Sequence, residues 1–106
     1  MSSEDSLPPV MGVDLLIHEP GRLAIVAHLR VLDSADYLFI KNQTEMSLGN
    51  LSSHLAKLEE AGYVEMVKRF VNKKPHTTVR LTDKGRQAFD LYSSRMRVLF
   101  EKLAEE

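Results

Sequence analysis

The stretch from Ser47 to Gly62, SLGNLSSHLAKLEEAG, constrains the fold of this chain more than any other. Leu51, Leu55 and Leu58 recur at spacings of four and three, which places them on one face of a helix. Ser47 precedes the run and is the expected N-cap, because its hydroxyl can accept a hydrogen bond from a free N–H of the first turn. Gly62 follows it where a helix stops, since glycine accepts the left-handed geometry of that position. The opposite face carries Gly49, Asn50, Ser52, Ser53 and Lys57, with Glu59 and Glu60 pushed to the far end. An ordinary solvated face would hold more Glu and Lys. Short hydrogen-bonding side chains suit a helix laid against the edges of DNA bases.

The rest of the chain must supply a core for this helix. At 106 residues and 43% hydrophobic content, it is sized for one small domain. With no cysteine, disulfides, thiolate zinc sites and cysteine nucleophiles are excluded. No apolar run is long enough to span a bilayer and no basic-plus-apolar leader opens the sequence, so a cytoplasmic protein with no membrane partner is expected. The net charge of −1 does not by itself point to nucleic acid. Its distribution does: Lys68, Arg69, Lys73, Lys74 and Arg80 share a segment that contains no acid.

Residues 1–9 are polar, end in Pro8-Pro9, and are expected to form a flexible arm. Residues 10–18 are too apolar for water and predict a short helix against the core or a second subunit, with Leu15 and Leu16 assigned to the latter contact. Pro20 suits the first turn of a helix over 20–32 that buries Leu23, Ile25, Val26, Leu29 and Leu32. Asp33-Ser34 breaks that pattern, and Asp33 and Asp36 read as turn and cap residues. A very short strand over 35–37 and a brief helix over 38–44 follow, with Leu38 or Phe39, Ile40 and Thr44 inward. A tight turn at Glu45-Met46-Ser47 then leads into the central helix, giving a helix-turn-helix.

After Gly62 the period becomes alternating. Residues 63–71 and 77–81 predict two strands joined by a turn at Asn72-Lys73-Lys74-Pro75, a hairpin with a basic tip. Thr82 caps a last helix and Asp83 sits at its positive end. In that helix Phe89, Tyr92, Met96, Leu99 and Leu103 form a heptad-like seam, and Leu91 and Val98 add a thinner stripe. One stripe is assigned to the chain's own domain and the other to a dimer contact. The expected architecture is mainly α with a small β-hairpin wing (α+β): an arm at 1–9, a DNA-binding domain at 10–82 and a helix at 83–106.

The candidate DNA contacts are Ser47, Gly49, Asn50, Ser52, Ser53, His54 and Lys57 on the helix, with Lys68, Arg69, Asn72, Lys73, Lys74, His76 and Arg80 on the hairpin. Gly49 would let the backbone approach the duplex, the small polar groups would meet base edges or phosphates, and the cations would meet phosphates. His54 is either a satisfied histidine at the edge of the core or a phosphate contact. Arg69 and Arg80 have Glu65 and Asp83 as alternative partners. The hairpin cations also protect an exposed sheet edge, whatever else they do. His18, His28, His54 and His76 are scattered, so neither a metal nor another cofactor is expected. Ser52-Ser53-His54 does not make a nucleophile and base, because adjacent helical residues do not face each other. No enzyme is expected.

The segment SLGNLSSHLAKLEEAGYVEMVKRFVNKKPHTTVRLTDKGRQAF resembles the DNA-binding core of prokaryotic winged-helix transcriptional regulators of the MarR and ArsR type. The matching motifs are Gly49 to Val64 and Leu81 to Phe89, and the likeness spans about residues 20–89. It implies a homodimer on pseudo-palindromic double-stranded DNA, with one recognition helix per half-site and a wing on the neighbouring backbone or minor groove. The likeness departs at Leu48, where a polar residue is common after the cap, and in lacking the cysteines of many metal sensors. Two other functions fit a winged helix of this kind. One is a protein-interaction module. The other is a regulator with a small-molecule effector between the terminal helices near Tyr92 and Met96.

Overall fold

The structure is a computed structural model and describes residues 12–105. The arm at 1–9, and Val10 and Met11 of the expected first helix, lie outside the described residues. The order is α1 (Pro20–Leu32), β1 (Ser34–Asp36), α2 (Tyr37–Thr44), α3 (Leu48–Glu60), β2 (Val64–Val71), β3 (Lys74–Leu81) and α4 (Asp83–Ala104). The three strands form one antiparallel sheet in the order β1-β3-β2.

Each helix begins on a side chain that satisfies a free backbone donor. Glu19 accepts from Arg22 N–H, Asp36 from Leu38 N–H, Ser47 from Asn50 N–H and Thr82 from Gly85 N–H. The end of α3 is a Schellman motif. Tyr63 N–H reaches Leu58 C=O at 2.9 Å, Gly62 N–H reaches Glu59 C=O at 2.9 Å, and Gly62 has φ of +82°.

The main core joins Ile25, Val26 and Leu29 of α1, Ile40 of α2, Leu51, Leu55 and Leu58 of α3, and Val64, Val79 and Leu81 of the sheet. Burying each such side chain contributes ~1.5–3 kcal/mol, so the leucine stripe of α3 is what seats this helix. A second cluster joins Val13 and Ile17 to Tyr92, with Leu23, Ala88, Phe89 and Met96 packed against it.

Several local expectations are corrected. No α-helix forms within residues 12–18: Gly12 is 3₁₀ and residues 15–17 make a turn. The Asp14 carboxylate accepts from Leu16 N–H at 2.9 Å and from Ile17 N–H, competing with the helical pattern for the same donors. Leu32 is exposed at the end of α1, and Leu23 belongs to the second cluster. In α2 only Ile40 is buried, while Leu38 and Phe39 face outward, because two turns present one inward stripe. The hairpin turn is tighter than expected. Asn72 and Lys73, at φ of +53° and +66°, form it alone. Pro75 lies within β3 opposite Phe70, the first pair past the one flanking the turn. In a two-residue hairpin that pair exchanges no hydrogen bonds, so the missing N–H is no loss.

Candidate nucleic-acid interface

Along α3 the leucine stripe turns Gly49, Asn50, Ser52, Ser53 and Lys57 outward, and all five are exposed. A Cβ built on Gly49 would meet nothing within 4 Å, so no contact within the chain requires glycine there. Ser47 is exposed as well, with its oxygen accepting from Asn50 N–H at 3.1 Å. Ser52 Oγ lies 2.5 Å from the Tyr37 hydroxyl, so α2 and α3 are joined at the surface. Tyr37 was not singled out in the sequence because nothing local marks a partner fifteen positions away.

His54 sits half-buried against the start of α1. Its Nδ1 lies 3.2 Å from Arg22 Nη1 and 3.8 Å from Glu19 Oε1. Arg22 Nε also donates to Leu16 C=O at 2.6 Å, tying the N-terminal turns to the same point. A Cβ on Gly21 would stand 2.6 Å from His54 Nε2, so α1 and α3 approach closely here because residue 21 lacks one. His54 thus has Arg22 as a partner within the chain at Nδ1. The Glu19 carboxyl is held below its ordinary value, first by the Arg22 backbone N–H and then by the neighbouring cations.

In the wing, cross-strand register sorts the side chains. Lys68 pairs with Thr77 and Phe70 with Pro75 on the face that continues the core; Arg69 pairs with His76 and Val71 with Lys74 on the other. Lys68, Arg69, Asn72, Lys73 and Lys74 are exposed. Arg80 donates through Nε to Glu65 at 2.9 Å, and that bond raises its guanidinium above the ordinary value. His76 Nδ1 lies 3.5 Å from Asp36. These two are therefore engaged within the protein, unlike the cations nearer the tip. Val67, Phe70 and Val71, whose residue types predicted the strand, are all exposed on the wing.

Recognition helix and wing flank one notch of about 330 Å³. Leu48 and Ser52 of α3, Tyr37 and Leu38 of α2, Pro75, His76 and Thr77 of β3, and Asp36 line it. This adjacency brings Ser52 of the helix set and His76 of the wing set to one notch.

The seam of α4 divides. Tyr92 is buried with its hydroxyl 2.9 Å from His18 Nδ1, and Phe89 and Met96 pack on the same cluster. Those three serve the chain's own domain. Leu91, Val98, Phe100 and Leu103 are exposed, Leu99 is half-buried, and Leu15 is exposed while Leu16 packs on the core. Beside Tyr92 is a cavity of about 290 Å³ lined by Asp14, Tyr63, Leu91 and Arg95, among others. Tyr63 donates to the Asp14 carboxylate, and partial burial together with that carboxylate pushes its phenol up to about 12. Among the described residues no group of acids and histidines is placed to hold a metal, and no helix is long and apolar enough to cross a membrane.

Three helices followed by an antiparallel hairpin, with the third helix exposed beside the hairpin, define a winged helix-turn-helix. The chain belongs to the winged helix DNA-binding domain family, whose pattern matches residues 22–100. It is 38% identical over 71 residues to an uncharacterized protein of Methanocaldococcus jannaschii, spanning 67% of this chain and 77% of that one. Among solved structures it is similar to a transcriptional regulator homologue from Pyrococcus horikoshii OT3, at a TM-score of 0.81 and 28% identity, covering 85% of this chain and 89% of that one. It also shares its fold with AbfR, solved bound to DNA, at a TM-score of 0.57 and 23% identity over 78% of this chain and 66% of that one. An ArsR family transcriptional regulator has the same fold at a TM-score of 0.55 and 16% identity, over 82% of this chain and 84% of that one.

Proposed function

We propose that this chain is a sequence-specific DNA-binding transcriptional regulator that acts as a homodimer. The observation that carries this reading is the shared notch: Ser52 on the polar face of α3 and His76 of the basic wing line it together. In this arrangement α3 enters the major groove, and Asn50, Ser52 and Ser53 meet base edges. Lys57, Lys68, Arg69, Lys73 and Lys74 meet phosphates, with the wing on the backbone or in the minor groove. A second copy covers the exposed apolar residues of the C-terminal half of α4, and the two-fold axis sets the spacing of the half-sites.

The test is selection of the tightest duplexes from genomic fragments, followed by a salt series. A two-fold symmetric site is expected. If these five cations of each protomer meet phosphates, log affinity falls against log salt with a slope of about −9. Lys73→Glu with Lys74→Glu then weakens binding to every duplex, while Asn50→Ala mainly lowers discrimination among sequences. Equal effects of both on all duplexes would overturn this division of labour. No binding even at low salt would remove the DNA reading and leave a protein partner for the same surfaces.

A further inference from the structure

From the notch between α3 and the wing, and resting on the DNA-binding reading, we infer that Leu48 is a specificity-determining residue that takes the 5-methyl group of a thymine. Leu48 is the first residue of α3 and is 54% exposed; Leu38, across the notch, is 58% exposed. Two leucines left in water on an otherwise polar face are unfavourable unless a partner covers them.

The chemistry of the notch selects the partner. Its Asp36 carboxylate lies 3.5 Å from His76 Nδ1, and Asp36 also accepts from Leu38 N–H. A phosphate entering here would meet a carboxylate. The Ser52 and Tyr37 hydroxyls are bonded to each other. Leu48 therefore offers an apolar surface at the first turn of α3, while the candidate phosphate-binding cations Lys57, Lys68, Lys73 and Lys74 do not line the notch. In the major groove the apolar group that a base presents is the thymine methyl. Leu48, which departs from the polar residue common at this position, then reads a base by contact instead of by hydrogen bond.

The experiment uses the full chain and the tightest duplex from the selection above. Each thymine of the half-site is replaced in turn by uracil, which removes the methyl and leaves base pairing intact. At one position the wild type is expected to lose affinity by about fourfold, the equivalent of one buried methylene, and by about fifteenfold when both half-sites are changed. Leu48→Ala is expected to bind thymine and uracil duplexes equally. Leu48 is exposed, so this variant is expected to fold, and thermal unfolding checks it. A wild type indifferent to every replacement, a Leu48→Ala protein that still distinguishes the two bases, or a selected half-site without thymine would each overturn the inference while leaving DNA binding intact. Failure to select any duplex would instead overturn both readings.

Discussion

Gly62 and Gly85 stand at the two places where a side chain is least tolerable. Gly62 ends α3 at φ of +82°, a conformation that a Cβ opposes by roughly 1–2 kcal/mol, so Gly62→Ala should lower stability by about that much in urea unfolding. A Cβ on Gly85 would lie 2.2 Å from the Tyr63 carbonyl oxygen, which is backbone and has little room to yield. Gly85→Ala must push α4 away from the start of β2, and a loss of about 2–3 kcal/mol is expected, exceeding that of Gly62→Ala. The reverse order would mean that α4 is not held at this point. Tyr63 adds a pH dependence. Its phenol titrates near 12 in the folded chain and near 10 when unfolded, so the folded state keeps its proton longer. Stability from this group is fully present below pH 10 and is lost as pH rises through 12. Tyr63→Phe should flatten that part of the stability profile, and an unchanged profile would exclude Tyr63 as its source.

At the scale of the element, the wing turn sets stability against charge. Asn72 accepts the left-handed region well, but Lys73 occupies a position where glycine is preferred in such turns. Lys73→Gly should therefore raise the unfolding midpoint, by up to roughly 1 kcal/mol in free energy. The same change removes a candidate phosphate contact from each protomer, so the slope of log affinity against log salt should shrink by about 2 for the dimer. A stabilised variant with an unchanged salt slope would take Lys73 off the DNA. Recognition helix α3 is seated differently, by its leucines and by the Arg22–His54 contact. Arg22→Ala should loosen its docking against the start of α1 and weaken discrimination among duplexes more than it lowers stability. An effect on stability alone would make the contact purely structural.

For the whole molecule, the question is what covers the outer half of α4. Beyond Met96, no described residue of this helix belongs to either core cluster, yet Val98, Phe100 and Leu103 are exposed there. Leu103→Glu with Phe100→Glu should yield a folded monomer in sedimentation, with affinity for a symmetric site reduced to that of one half-site. A dimer that survives both changes would place the two-fold contact elsewhere.

Periodicity made the helices legible, and cap and breaker residues marked where they start and stop. The leucine stripe of α3, its Ser47 cap and its Gly62 stop stand in the sequence as they stand in the fold, because each acts between residues close together along the chain. The alternation of β2 and β3 did the same for the hairpin. Burial was less legible wherever the apolar pattern exceeded what neighbours could cover. Leu32, Leu38 and Phe39 satisfy the pattern of a core yet lie outside it, since only the packed geometry decides which stripe has a partner. In α4 one continuous seam is divided between the chain's own second cluster, through Phe89, Tyr92 and Met96, and an open surface beyond it. For the site, residue type and charge spacing named the candidates on α3 and the wing. The tertiary structure alone decided that His54 turns to Arg22, that Arg80 is held by Glu65, and that Leu48 shares a notch with Tyr37 and Pro75. Those partners are far apart along the chain, and local sequence carries no information about distances that only folding closes.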